Sequence, residues 1–242
     1  MGIRPEVIPS VVAALAVGAL VFGVGRLGRL TTRKAGVLGI MVAAILTGYL
    51  LYFFRDPDRT PPSDAQAAVA GADGTIAGIV RLDEAQFRRA AAFAGLGEDK
   101  LKRFLGQDVV RISIFLSLFD VHVNRASIGG ESEFLGYFPG KHIFTFKEKS
   151  SDYNQHNSIL IQNPQTVSLI NQIVGPVARR VVYWPDHNRS VPLKIGDRIG
   201  MMKFGSRLDM YFPGADVDVK VKAGDVVRAG ETIVARIREK AP

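Results

Sequence analysis

The chain is predicted to be mainly β, a barrel-sandwich-like domain preceded by an N-terminal membrane helical hairpin and carrying one or two amphipathic helices. Three observations carry that prediction. Two stretches near the N-terminus, Val7 to Gly25 and Ala35 to Phe54, hold no charge; the remainder is built of short β-branched runs punctuated by glycine; and one segment, Leu82 to Gly106, repeats its apolar residues at helical spacing. With 242 residues the chain can bury a sizeable core without staples. The absence of cysteine excludes disulfides, thiolate catalysis and cysteine-ligated zinc, and 4 histidines leave little for a metal cage, so no metal is expected.

Each charge-free stretch is close to the roughly 20 residues that cross a hydrocarbon core as a helix. Between them "RLGRLTTRK" carries Arg26, Arg29, Arg33 and Lys34, and "YLLYFFRD" ends the second stretch with aromatics followed by charge, as an interface requires. A cleaved signal peptide is the plainer reading of the first stretch. Its leading "MGIRPE" holds one Arg and one Glu, however, and a second apolar stretch follows at once, so residues 1–54 are read as a membrane hairpin. The positive-inside rule alone would put the basic loop in the cytoplasm and everything after Arg55 on the other side. A hairpin that enters and leaves by one face, its basic loop among headgroups, is the alternative.

"RDPDRTPP", Pro-rich and charged, marks the boundary to a second domain over 55–242. Candidate strands there are "GTIAGIV", "VVRISIFLS", "SILIQ", "QIVGPVARRVVYW" and "ETIVARI". Leu82 to Gly106 places Phe87, Ala90, Ala91, Phe93, Ala94, Leu101, Phe104 and Leu105 amid Arg and Lys, which predicts helices broken near Gly95 and Gly97 that either pack on the sheet or lie on a bilayer. "AGADGTIAGIV" and "VKVKAGDVVRAGETIVARI" share a glycine-turn pattern, and the second resembles half of a biotinyl or lipoyl carrier domain. No Lys occupies a Met-Lys-like hairpin tip, because "MMK" runs on into a strand-like segment, so a scaffold without a swinging cofactor is expected.

The densest polar cluster inside an apolar run is "SIFLSLFDVHVNRAS". Asp120, His122 and Asn124 are spaced by two, so one extended strand would project a carboxylate, an imidazole and an amide from one face, either as a proton-transfer site or as a plain solvent face. His142 in "YFPGKHIFTF" and His156 in "SSDYNQHN" are thinner candidates, and His187 in "WPDHNRS" is given no role. The Gly205-Ser206 pair in "KFGSRLDMYFP" is either an ordinary turn or a peptide bond that the protein breaks in itself.

In order from about Tyr52 to Ile237, "YFFRDPDRTPP", "ADGTIAGI", "ISIFLSLFDVHVNRAS", "GYFPGK", "VGPVARRVV", "GDRIGMMKFGSRLDMYFP" and "VKAGDVVRAGETIVARI" together resemble the short bacterial form of phosphatidylserine decarboxylase. The conjunction of "FDVHVNR" with "KFGSR" makes the resemblance specific. It implies that Ser206 attacks the Gly205 carbonyl and becomes a covalent pyruvoyl cofactor, splitting the precursor into a chain of 1–205 and a chain of 206–242 that stay together as a heterodimer. The pyruvoyl group would form a Schiff base with phosphatidylserine and release carbon dioxide, giving phosphatidylethanolamine. The resemblance makes Asp120 the acid of an Asp-His-Ser processing triad. Its histidine is His122 or His156, because "NPQTVSLINQ", where relatives carry one, has none; His122 lies on the motif and is preferred. Gly-Ser-Arg stands where long family members have Gly-Ser-Thr or Gly-Ser-Ser, so Arg207 is expected either to contact a substrate phosphate or carboxylate or to pair with Asp209. His142 is a second substrate-binding candidate.

The net charge of +8 suits the anionic lipid surface such a substrate lives in. A nucleic-acid partner is not expected, since no aromatics interleave with the basic residues on a recognisable motif. Because this lipid is made on the cytoplasmic leaflet, the catalytic domain is expected on the cytoplasmic face of the cell membrane. Two alternatives remain: another serine phospholipid with archaetidylserine-like tails, or a non-enzymatic, membrane-anchored lipoyl-like adaptor whose Gly205-Ser206 bond stays whole.

Overall fold

The computed structural model describes residues 2–176, 181–203 and 205–239. Val177 to Arg180 of "VGPVARRVV" and Phe204 of "KFGSR" therefore lie outside the described residues. The chain divides into compact units of residues 1–58 and 59–242.

In the first unit, β1 (Gly2–Ile3) pairs with β2 (Arg55–Asp56) across the open end of a helical hairpin, α1 (Ile8–Leu27) and α2 (Thr32–Phe53). Both helices are long and apolar enough to cross a bilayer. Thr31 caps α2 by accepting from the Lys34 amide. Small residues let the helices approach closely. A Cβ on Gly18 would fall 2.7 Å from both the Ala43 Cβ and the Gly39 carbonyl oxygen, and one on Gly39 would fall 2.6 Å from the Gly18 oxygen. Ala35, Gly39 and Ala43, each four apart, thus form the seam of α2, the pattern that substitutes backbone contact for the missing hydrophobic drive between helices in lipid.

The second unit holds β3 (Ala67–Val69), β4 (Gly74–Leu82), α3 (Glu84–Phe93), α4 (Glu98–Leu101), β5 (Val109–Leu116), β6 (Val123–Arg125), β7 (Gly130–Phe138), α5 (Ser150–Tyr153), β8 (His156–Gln162) and β9 (Val167–Val174). It continues with β10 (Val181–Tyr183), β11 (Val191–Leu193), β12 (Arg198–Met202), β13 (Ser206–Pro213), β14 (Val217–Val219), β15 (Val226–Val227) and β16 (Ile233–Ile237). An eight-stranded sheet runs in the order β11-β7-β8-β9-β13-β5-β4-β15, and two three-stranded sheets run β10-β12-β6 and β14-β16-β3.

The mainly β prediction holds. The glycine-turn segments come together, β4 pairing with β15 and β3 with β16. "QIVGPVARRVVYW" is not one strand: β9 ends at Val174, directly before Gly175-Pro176, and β10 starts at Val181.

Side-chain alternation gives the large sheet two faces. Ile112, Ile114, Leu116, Leu208, Met210 and Phe212 pack with residues of both small sheets in one core. On the other face Leu160, Leu169 and Tyr211 meet Phe87, Ala91, Leu101 and Phe104. The apolar stripe of Leu82 to Gly106 is therefore spent on the sheet and not on a bilayer. Asp83 opens α3 with a capping box to Gln86. Gly95 follows α3 at φ 67°, where a Cβ would lie 2.3 Å from the Phe138 ring, so both conformation and space demand glycine.

The hairpin seam can be tested against the cysteine-free background. A Cβ on Gly25 lies 3.2 Å from that of Ala35, close to disulfide geometry. Full-length chain carrying Gly25→Cys and Ala35→Cys is expected to crosslink intramolecularly on mild oxidation, read by mobility on a non-reducing gel. Adding Gly39→Leu, which forces the helices apart, is expected to abolish most of that crosslink.

Candidate active site

Ser206 is the first residue of β13, a strand buried along its whole length between β9 and β5. Its backbone stands opposite Leu116 on one side and Val174 on the other. Before it, Gly205 adopts φ 70°, and a Cβ there would meet nothing within 4 Å. Glycine is thus demanded by the left-handed backbone alone. Gly175 leans on the same bond, because a Cβ at Gly175 would fall 2.9 Å from the Gly205 carbonyl oxygen and 3.3 Å from the Thr145 methyl. The Ser206 Oγ is buried with no hydrogen-bond partner among the described residues.

Asp120, His122 and Asn124 do not share a strand. Asp120 lies in the turn after β5, His122 precedes β6, and only Asn124 is within it. The Asp120 carboxylate accepts from the amide and hydroxyl of Ser117, both at 2.7 Å, and so closes the turn next to Leu116, at the Ser206 end of the sheet. His122 is buried, with Nδ1 3.0 Å from the Asp120 backbone oxygen. A carbonyl only accepts, so Nδ1 carries a proton in this contact. The His122 carbonyl in turn accepts from the Met202 amide, just before the segment leading to Ser206. Asn124 accepts from Gln172 at 2.7 Å, tying β6 to β9.

Register separates the two candidate histidines. Ser206 shares its face with Leu208 and Met210, toward the inter-sheet core that β6, β10 and β12 cover. His156 aligns through Ile173 with Arg207, on the helix-covered face. There its ring is stacked on Phe93 at 4.0 Å and Phe138 at 5.1 Å, with Nδ1 2.9 Å from the Asn154 oxygen and Nε2 3.1 Å from the Phe93 oxygen. Burial lowers the His156 pKa from 6.5, outweighing these carbonyls and Asp209, which favour the charged ring. His142, half-buried, places Nε2 3.2 Å from Gln155 Oε1.

Arg207 takes the ion-pair role of the two expected of it. Only 1% exposed, it donates to Asp209 at 2.9 Å and to Glu148 at 3.0 Å. Arg111 binds the other oxygen of Glu148. Burial acts to raise the Asp209 pKa, but the Arg207 and Arg111 guanidiniums hold it below the usual carboxylate value. Burial, aided by the Asp209 charge, raises the Tyr211 pKa. This polar layer, with Ser113, Ser158 and Asn171 in register across it, was missed in the sequence. Its signal was available, since Arg207 and Asp209 alternate in "SRLDMYFP" as Arg111 and Ser113 do in "VVRISIFL". A cavity of about 390 Å³ opens beside it, lined by Gln86, Arg89, Phe93, Arg111, Asp152 and Tyr153 among others.

The family model described as phosphatidylserine decarboxylase fits residues 46–235 of this chain. The chain belongs to that family. It is 37% identical over 201 residues to a phosphatidylserine decarboxylase proenzyme of Carboxydothermus hydrogenoformans, covering 83% of this chain and 85% of the relative. Proenzymes of the same name from Desulfotalea psychrophila and Erythrobacter litoralis are 36% and 39% identical, over 80% and 81% of this chain and 81% and 76% of theirs.

The depressed His156 pKa has a sign that can be checked. Below 6.5 the unfolded chain binds a proton at His156 that the folded chain refuses, so stability declines as pH falls from that value toward the folded pKa. His156→Phe is expected to flatten this part of the profile, measured as Tm against pH between about 7 and 5.

Proposed function

We propose that the chain is a phosphatidylserine decarboxylase proenzyme that splits itself between Gly205 and Ser206 and uses the new N-terminus as its catalytic carbonyl. The observation that carries this reading is the Ser206 hydroxyl, buried without a partner directly after a left-handed glycine. In the first step Oγ bonds to the Gly205 carbonyl carbon as its proton passes to His122, which hands a proton to the Ser206 nitrogen as the amide C–N bond breaks, giving an ester and a free amine. Asp120 contributes through its turn and its backbone oxygen, which hold the His122 tautomer. Removal of the Ser206 Cα proton then expels the Gly205 carboxylate and leaves dehydroalanine, whose imine tautomer takes up water and releases ammonia, so residue 206 becomes a pyruvoyl group.

The residues fit that outcome: the site needs no bound aldehyde, and the ladder to β5 and β9 keeps the chain of 206–242 in place when its first peptide bond is gone. Once formed, the ketone supplies an electrophile for the substrate amine and an electron sink for decarboxylation. Arg207 supports the strand through Asp209, and Arg111 and Arg89, with Asp152, line the neighbouring cavity. His142, on the same segment as Thr145, stays a candidate substrate contact. The product is phosphatidylethanolamine, and the headgroup chemistry is the same for an archaetidylserine-like lipid. Family membership favours this enzyme over a lipoyl-like adaptor. The apolar pair α1 and α2 supports association with the cell membrane, with residues 59–242 on the cytoplasmic face where the substrate is made.

Denaturing gels and mass spectrometry test the reading. The native chain is expected as two fragments, the C-terminal one lacking a free amine, and Ser206→Ala as one inactive chain. Active protein that remains a single polypeptide with Ser206 intact overturns it. Gly205→Ala removes only the left-handed preference, worth about 1–2 kcal/mol, and is expected to slow splitting about tenfold, with Gly205→Asn less affected. Gly175→Val, which drives a side chain into the Gly205 oxygen, is expected to slow it further.

A further inference from the structure

The segment between β7 and α5 departs from the usual burial of aromatics. Phe144 and Phe146 are 54% and 61% exposed, and their rings stack on one another 5.5 Å apart. Lys141, Lys147 and Lys149 are exposed beside them in sequence, and Lys141 Nζ sits 5.2 Å over the half-exposed Tyr153 ring. The one acid of the segment, Glu148, has both carboxylate oxygens bound to Arg111 and Arg207. Against exposed Asp152 beside Tyr153 stand Lys141, Lys147 and Lys149, so the charge facing outward over 141–153 is net positive.

The segment is also held firmly from inside. Thr145 is buried against Gly175, Ser150 Oγ donates to the Thr145 oxygen, and the Asn154 side chain bonds the amide and carbonyl of Ile143. Phe144 to Lys147 form a turn, closed by the Lys147 amide donating to the Phe144 oxygen, with Thr145 buried and Phe144 and Phe146 left outside. Exposed aromatics rimmed by lysine match the layered chemistry of a bilayer surface, where rings enter the headgroup zone and ammonium groups meet phosphates.

We infer that Phe144, Phe146, Lys141, Lys147, Lys149 and Tyr153 form a docking surface by which the catalytic unit seats itself on an anionic phospholipid bilayer, independently of the helical hairpin. The inference rests on the decarboxylase reading for its purpose. Tyr153 belongs both to this surface and to the cavity lined by Arg111 and Arg89, so a lipid at the surface has its headgroup at the cavity mouth. A bilayer substrate then need not leave the membrane to reach the polar layer under β13.

The absence of cysteine makes a direct test available. Full-length Phe146→Cys, labelled with an environment-sensitive fluorophore, is reconstituted in phosphatidylcholine vesicles with or without phosphatidylglycerol and with spin-labelled lipid as quencher. The comparison is Val226→Cys, 78% exposed on the opposite edge strand of the large sheet. The label at 146 is expected to shift blue and be quenched in anionic vesicles, the label at 226 to stay aqueous, and Lys147→Glu with Lys149→Glu to reverse the shift. Phe144→Ser with Phe146→Ser is expected to raise KM for vesicle-borne phosphatidylserine about tenfold while leaving kcat on a dispersed short-chain substrate unchanged.

A label at 146 as aqueous as that at 226 overturns the inference. So does a shift that follows protein concentration without lipid quenching, which would make the patch a contact between copies. Gels of the same samples report splitting at Gly205-Ser206, so failure to dock and failure to process are read separately.

Discussion

Everything proposed for this chain depends on how β13 is held. On the proposed reading the Gly205-Ser206 bond must be fixed in position while the Ser206 hydroxyl is left unbonded. The structure meets both demands by pinning the backbone of Ser206 from two sides, opposite Leu116 and Val174, while leaving Oγ without a partner. A side-chain hydrogen bond strong enough to position Ser206 would lower its readiness to attack. Main-chain pairing positions it without that penalty. The left-handed Gly205, directly before the ladder, is the other half of the arrangement.

A second consequence of the ladder is the strict division of faces. Ser206 opens onto the core between the sheets, where the His122 segment approaches, and Arg207 onto the face covered by α3 and the 139–155 segment. That face carries charge in a place where charge is expensive. Two guanidiniums, Arg207 and Arg111, are balanced by two carboxylates, Asp209 and Glu148. The fully buried Arg207–Asp209 pair adds little net stability over an apolar alternative, but removing one of the two strands its partner and costs about 3–5 kcal/mol. The layer is better understood as a constraint on register: a one-residue slip of β13 would drive Arg207 and Asp209 into the apolar inter-sheet core.

Much of the fold was legible in the sequence, and the reasons are specific. The hairpin announced itself through uninterrupted apolar length, the strands through β-branched runs, and α3 through its 3.6-residue stripe bounded by Asp83 and Gly95. Gly205-Ser206 was legible only through the motif around it. What composition could not convey was which residues cease to be strand. "FDVHVNR" alternates like a strand but starts as a turn, because Asp120 satisfies Ser117 and breaks the ladder, a local hydrogen bond defeating a periodic pattern. The role of Arg207 was undecidable without knowing that Asp209 points the same way from a fully buried strand. Glu148, 59 residues from Arg207 in sequence, could not be connected to it by any local rule.

The same long-range link joins the stability of the site to its access. Asp209 is held in its charged form by the two guanidiniums, and His156 is kept neutral by burial between Phe93 and Phe138. The layer beneath β13 therefore keeps a constant charge state around neutral pH, and Glu148 reaches it from outside to pair with both guanidiniums. Glu148 lies on the segment whose buried Thr145 packs against Gly175, and Gly175 in turn lies against the Gly205 carbonyl oxygen. One stretch of chain thus links charge balance under the strand to the packing behind the bond at its head, and its inner face is polar and tightly bonded while its outer face is free to serve another surface.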